Sequence, residues 1–233
     1  MKKKLTLVVT CVVLVAAMVI GGTLAYFTDT DDATNTFTVG NVKIVLDESQ
    51  ATKGNDNKWT SDKDVRVDKN TYENIYPGAV LPKDPTIHNT GKNDAYVRLV
   101  VTMSINAFKL FGDEDPIVTI TKMINADEEN WTYVGQNKAG TYYDLEKGYM
   151  LAYEFRYNKV LKGGEDTTPL FTEVTIPTTL TEDMVTKYTN GSFVMELTAQ
   201  AIQADSFVAT DNGDGTTTSA MDNAWAAFDA QNK

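Results

Sequence analysis

An all-β fold, a jelly-roll-like antiparallel β-sandwich with few short helices, is what this chain predicts, and three observations carry it. Apolar and polar residues alternate with period two over residues 95–105, 149–157 and 192–204, the pattern of strands with one face on a core. Turn-forming residues punctuate the intervals, as in Tyr76-Pro77-Gly78 and Asn89-Thr90-Gly91. Amphipathic helical stretches do not alternate with the strands, which disfavours parallel βαβ units.

The chain opens on Lys2-Lys3-Lys4, a 16-residue apolar run from Leu5 to Ile20, Gly21-Gly22 and the small-x-small triplet Thr23-Leu24-Ala25. This order is that of a secretory signal peptide, read here as a signal helix over residues 1–25. The run is shorter than the roughly 20 residues a spanning helix needs. Cleavage is expected between Ala25 and Tyr26, leaving a single domain over residues 26–233. The membrane is then met only through the uncleaved leader. Cys11, the only cysteine, lies inside the leader, so the mature chain offers no disulfide, no thiol nucleophile and no Cys-ligated metal. The three lysines leave with the leader, and the formal charge of -11 becomes -14. Such an acidic surface disfavours nucleic acid and anionic lipid.

Along the mature chain, Phe37-Thr38-Val39 and Val42-Lys43-Ile44-Val45-Leu46 alternate on opposite parities, with Gly40-Asn41 to absorb the change. Residues 47–70 read as a polar surface excursion with one short strand at 65–67 and Trp59 as an anchor. Pro82 and Pro85 keep the next stretch extended. Over 95–105, Ala95, Val97, Leu99, Val101, Met103 and Ile105 share one face of a half-buried strand, with Val100 an exception on the polar face. Further strands are expected at 117–124, 131–134, 141–145, 149–157 and 171–176. Residues 178–188 hold a short helix capped by Thr181, with Glu182 and Asp183 in its first turn. Phe193, Met195, Leu197, Ala199 and Ala201 line one face of a long strand. After a Gly/Asp/Thr loop at 211–218 the period changes to helical. Met221, Ala224, Trp225 and Phe228 form an apolar stripe, with Ser219 and Asp222 as a weak capping pair.

Chemistry-bearing patterns are sparse. His88 is the only histidine, so no HExxH pair, two-histidine metal site or choice of base for a serine triad exists. It reads as a surface or capping residue. Asp211-Asn212-Gly213-Asp214-Gly215 fits the EF-hand loop poorly, because Thr210 and Met221 would fall at its first and last ligand positions. A turn-rich loop is expected instead. Asp29, Asp31 and Asp32 read as part of a solvated arm, and Gly163-Gly164 as a turn. The tyrosines of 149–157 read as core and cross-strand packing rather than a sugar platform. Leu81-Pro82-Lys83-Asp84-Pro85 lacks the Thr-Gly of a sortase motif. No catalytic residue, cofactor or metal is expected, and the chain is read as not an enzyme.

Three blocks resemble the TasA/camelysin family of Gram-positive secreted proteins. The first is Gly21-Gly22-Thr23-Leu24-Ala25-Tyr26-Phe27-Thr28-Asp29 with Ala33-Thr34-Asn35-Thr36-Phe37-Thr38-Val39-Gly40, which looks like a leader cut by the SipW type of signal peptidase. The second runs from Tyr76-Pro77-Gly78 through Asn89-Thr90-Gly91 into Ala95-Tyr96-Val97-Arg98. The third is Ala201-Ile202-Gln203-Ala204-Asp205 with Ala224-Trp225-Ala226-Ala227-Phe228. The resemblance implies a secreted jelly-roll subunit of extracellular biofilm matrix fibres. It implies that the freed arm, residues 26–39, acts as a donor strand in the next copy, with Tyr26, Phe27, Phe37 and Val39 as assembly residues. The implied partners are further copies of the chain, accessory matrix or anchor proteins, and the signal peptidase. The alternative reading is a cell-surface module that binds carbohydrate or protein, and a third is a camelysin-like metallopeptidase.

Overall fold

The computed structural model describes residues 28–31, 42–111, 116–138, 140–146, 148–189 and 193–231. Residues 1–27 and 32–41, and with them the expected cleavage and assembly residues Ala25, Tyr26, Phe27, Phe37 and Val39, lie outside the described residues.

The fold is mostly β, and every strand pairing is antiparallel. In chain order the first strands are β1 (Thr28–Asp31), β2 (Ile44–Lys53), β3 (Trp59–Val67), β4 (Val80–Pro82), β5 (Thr86–Asn89) and β6 (Ala95–Ser104). Two helices follow, α1 (Ile105–Phe111) and α2 (Pro116–Met123), then β7 (Trp131–Gln136), β8 (Tyr142–Asp144), β9 (Gly148–Tyr157) and β10 (Glu173–Thr175). The chain continues through α3 (Glu182–Thr189), β11 (Met195–Gln203), β12 (Thr210–Asp211), β13 (Thr217–Thr218) and α4 (Ala220–Gln231). The large sheet runs β1-β11-β6-β9, with β7 and β8 side by side on the far edge of β9. A smaller sheet, β3-β2-β5, lies against it, and β4 pairs with β10.

Period two decides which residues meet. Val97, Leu99, Val101 and Met103 of β6 face the small sheet and join Val42, Ile44, Leu81 and Ile87 in the main core. Tyr153, Phe155 and Tyr157 of β9 enter the same core, so the tyrosine ladder is packing, as expected. The long strand at β11 keeps its expected parity, with Ala199 and Ala201 buried there.

The expected half-buried strand at 95–105 is corrected in two ways. Every residue of β6 is buried, because α4 covers part of the second face with Trp225 and Phe228. Val100, the apparent exception, sits on that covered face. The strand also stops at Ser104, whose Oγ accepts the Ala107 amide at 3.0 Å and caps α1.

The strand expected at 117–124 is a helix, α2. Pro116 stands at its first position. Buried Ile120, Met123 and Ile124 recur at three- and four-residue spacing. Packing of α2 on α1 overrides the β-branched composition.

The polar excursion at 47–70 is a hairpin, β2 with β3, rather than a loop with one short strand. Its turn closes with Gly54 donating to the Lys58 carbonyl at 2.8 Å, and Asn57 takes a left-handed φ of 63°. Alternation is lost there because β3 is a charged edge strand with little to bury. Trp59 does anchor it, edge-on to Tyr72 at 4.9 Å between ring centroids. The helix capped by Thr181 forms as α3, with the Met184 amide 3.2 Å from its hydroxyl. The closing helix forms as α4, with Ser219 capping the Asp222 amide at 3.0 Å.

Candidate functional site

The first described strand is β1. It lies antiparallel on β11, with Thr28 opposite Ile202 and Asp31 opposite Ala199. It also touches β2, so it sits where the large and small sheets meet. Thr28–Asp31 are therefore paired within their own chain.

A cleft of about 1000 Å³ runs beside β11. Its lining follows the parity of the strand. On the core side are Leu46, Tyr72, Leu81, Met195 and Leu197, an apolar slot between the two sheets. On the opposite face are Arg98, Val100, Thr102, Gln200 and Phe228. One cleft thus opens on both faces of the strand that receives β1.

Charged side chains frame the small-sheet side. Arg66 meets Asp47 at 2.6 Å and Asp84 at 3.1 Å. Asp84 also accepts the Ser49 amide and hydroxyl, each at 2.6 Å. Lys83 pairs with Glu48 at 2.6 Å, both nearly buried. The Tyr72 hydroxyl donates to the Pro82 carbonyl. Burial, with Glu48 and Asp84 nearby, raises the pKa of its phenol.

His88 is more than a capping residue. It sits in β5 with Nε2 at 2.8 Å from Asp47 and Nδ1 at 2.7 Å from Asp166. It joins β2 to the 161–170 segment, which hydrogen-bonds along β5 through Glu165 and Thr167. Burial lowers its pKa, but hydrogen bonds and charge from Asp47 and Asp166 outweigh burial and hold it above 6.5. A raised histidine stabilises the fold below pH 6.5, and the contribution is lost as pH rises through the folded value. His88→Gln is therefore expected to destabilise by about 1 kcal/mol at pH 5.5 and by less at pH 8.5, because Asp166 is largely exposed. Urea unfolding of both proteins at the two pH values checks this.

The opposite face carries the most buried charge. Arg98 is 1% exposed. Its guanidinium reaches Gln200 at 2.6 Å, Glu154 at 2.9 Å and Asp229 of α4 at 2.6 Å. The Trp225 and Phe228 rings lie over it, with centroids at 4.3 and 4.8 Å. Arg156 completes the set, meeting Glu154 at 2.6 Å and Asp222 at 2.9 Å. Nothing in the sequence signalled this role for Arg98, which appears above only as the last residue of the Ala95-Tyr96-Val97-Arg98 block.

The 211–215 stretch is a turn, as expected. Asp211 accepts the Gly213 amide at 2.9 Å, and Asp214 accepts the Thr216 amide and hydroxyl. Those bonds from Thr216 lower the pKa of the Asp214 carboxyl.

A zinc ion does not fit the described residues. Both ring nitrogens of His88 are engaged by carboxylates. No group of three or more His, Cys, Asp or Glu is placed to hold a metal among the described residues. No described helix is long and apolar enough to cross a membrane.

No curated protein and no solved structure matches the chain. A family model does: the one described as camelysin metallo-endopeptidase matches residues 1–139. That span takes in β1, both strands of the small-sheet hairpin, His88 with Asp47, and β6 with Arg98, while Asp166 lies beyond it. With more than half of its length matched, the chain belongs to the camelysin family.

Proposed function

We propose that the chain is a secreted structural subunit that polymerises into extracellular matrix fibres by passing its N-terminal arm, from Tyr26 to Val39, to a neighbouring copy. The observation that carries this reading is the place of β1. Among the described residues it joins the large sheet only through its pairing with β11, and it lies beside a cleft that follows that strand. A strand held at an edge by backbone pairing is exchangeable, since the same segment of another copy makes identical bonds. The exchange runs head to tail, so it does not close and builds a filament. Phe27, Phe37 and Val39 supply the apolar side chains for the slot lined by Leu46, Leu81 and Leu197. Accessory subunits or an anchor protein take the filament's ends.

The mature chain contains no cysteine, which makes cross-linking unambiguous. Thr30 and Gln200 lie opposite each other. Chains starting at Tyr26 are prepared with Thr30→Cys, with Gln200→Cys or with both; the two single variants are mixed and oxidised, and the double variant is oxidised alone. Filaments in negative stain, a disulfide between the two chains and monomers after deletion of residues 26–39 are the expected results. Monomers throughout, or a bond only within a chain carrying both changes, sink the reading. The family's own description is a metallo-endopeptidase. Chelator-sensitive cleavage of casein by the secreted chain would replace the structural reading with that one.

A further inference from the structure

The edge of the large sheet opposite β1 ends in a short hairpin. β8 runs for three residues and turns back into β9. Gly148 allows the turn with a φ of 79°, a conformation that side-chain-bearing residues rarely adopt. Asp144 tightens it by accepting the Glu146 amide at 2.8 Å. Among the described residues the backbone of β8 pairs with β9 alone.

The register of this hairpin sets two tyrosines against each other. Tyr143 of β8 stands directly opposite Tyr149 of β9. Directly opposed residues share one face of a sheet, with Cβ atoms about 4.5–5.5 Å apart. The two rings meet edge to face, with centroids 5.1 Å apart and planes at 74°. Each residue is 60% exposed, so Tyr149 stays outside the core that takes Tyr153 and Tyr157. A second tyrosine pair is in ring contact among the described residues, Tyr133 with Tyr153, but Tyr153 is buried. Tyr142 lies opposite Met150 and so falls on the other face of the hairpin.

We propose that Tyr143 and Tyr149 are the site of an oxidative cross-link, a dityrosine made by a one-electron oxidant, hydrogen peroxide acting through a haem peroxidase. Each phenol gives up one electron and one proton. The two phenoxyl radicals couple through the ring carbons ortho to their oxygens, and each of those carbons then returns its hydrogen, as a proton, to its own oxygen. One C–C bond forms and two ring C–H bonds are lost. Peroxide takes the two electrons and two protons, its O–O bond breaks and two waters form. Both rings are open to the oxidant, and their contact makes coupling within one chain an intramolecular step. Rotamer exchange of exposed side chains, on the ps–ns scale, brings the ortho carbons together from the edge-to-face arrangement. The bond ties β8 to β9 in a chain that, from Tyr26 onward, has no cysteine for a disulfide. The site is independent of arm exchange, since β8 and β1 lie on opposite edges of the large sheet.

The test treats dilute chain starting at Tyr26 with hydrogen peroxide and a haem peroxidase, then isolates single chains under denaturing conditions. Dityrosine fluorescence and an intact mass lower by two hydrogens are expected in that fraction. Trypsin cuts after Lys138, Lys147 and Arg156. The cross-link should therefore join peptide 139–147 to peptide 148–156, and fragmentation should place it on Tyr143 and Tyr149. Tyr143→Phe and Tyr149→Phe should each lower the single-chain fluorescence at least tenfold. Tyr142→Phe should leave it within twofold. All three change exposed side chains, which the fold should tolerate. No dityrosine in single chains, a bond between other tyrosines, undiminished fluorescence in either of the first two variants or its loss in the third would each overturn the proposal. None of these outcomes bears on filament formation, which is read separately by microscopy.

Discussion

Arg98→Ala is expected to lower the unfolding free energy by about 3–5 kcal/mol, the cost of leaving a buried carboxylate without its partner. Glu154 is 6% exposed and, among the described residues, would keep only Arg156 as a cation. Asp229 and Gln200 would lose their shared donor, and the Trp225 and Phe228 rings would lose the group they stack on. Truncation also leaves a cavity beneath α4. Urea unfolding at neutral pH measures the loss as a fall in midpoint at unchanged slope. A paired change, Arg98→Met with Glu154→Gln, should recover much of it, because it removes the stranded charge as well as its partner. If Arg98→Ala proved within about 1 kcal/mol of the parent, the guanidinium would not be the tie between sheet and helix described above.

Trp225→Ala should cost a comparable 3–5 kcal/mol, roughly the range for removing a large buried aromatic. Trp225 is fully buried and stands with Phe228, Ala224, Tyr96, Ile202 and Ala204 in a cluster separate from the main core. Part of the damage should therefore be local. Amide exchange in α4 should quicken strongly, while the centre of β6 stays protected. The two substitutions remove parts of one contact, so the double variant should cost less than the sum of the single ones, by about 0.5–3 kcal/mol. Simple additivity in that cycle would mean that the ring and the guanidinium act independently.

Legibility in the sequence followed burial. Residues 151–157 and 193–201 kept their parity in the fold because one apolar face meets one core. Residues 95–104 kept the parity but hid their true setting, since Tyr96, Arg98 and Thr102 look like a wet face and are buried. The partners that dry that face, Glu154, Gln200 and Asp229, lie 56, 102 and 131 residues away. No local pattern announces such a network. The helix α2 was unreadable for a different reason. Its Ile-Val-Thr-Ile composition favours a strand, and only packing on α1 sets it otherwise. The hairpin of β2 and β3 left little apolar signal because β3 is an edge with charged residues on both faces.

The candidate site divided in the same way. The cleft is built from residues of β2, β6, β11 and α4 that no motif connects. His88 was visible as a solitary residue, yet its two carboxylates come from positions 41 and 78 residues away. The acidic turn at 211–215, whose hydrogen bonds are all local, was read correctly.

The wiring of the large sheet carries a kinetic consequence. Its second strand, β11, is encoded near the end of the chain, yet it bridges β1 from the beginning and β6 from the middle. Such a topology has a high contact order, and topologies of this kind fold on roughly millisecond-to-second timescales rather than in microseconds. A polypeptide emerging amino terminus first holds β1 without a docking strand until residue 203 has appeared. The sheet is thus completed last where it was begun first, by loop closure across almost the whole molecule.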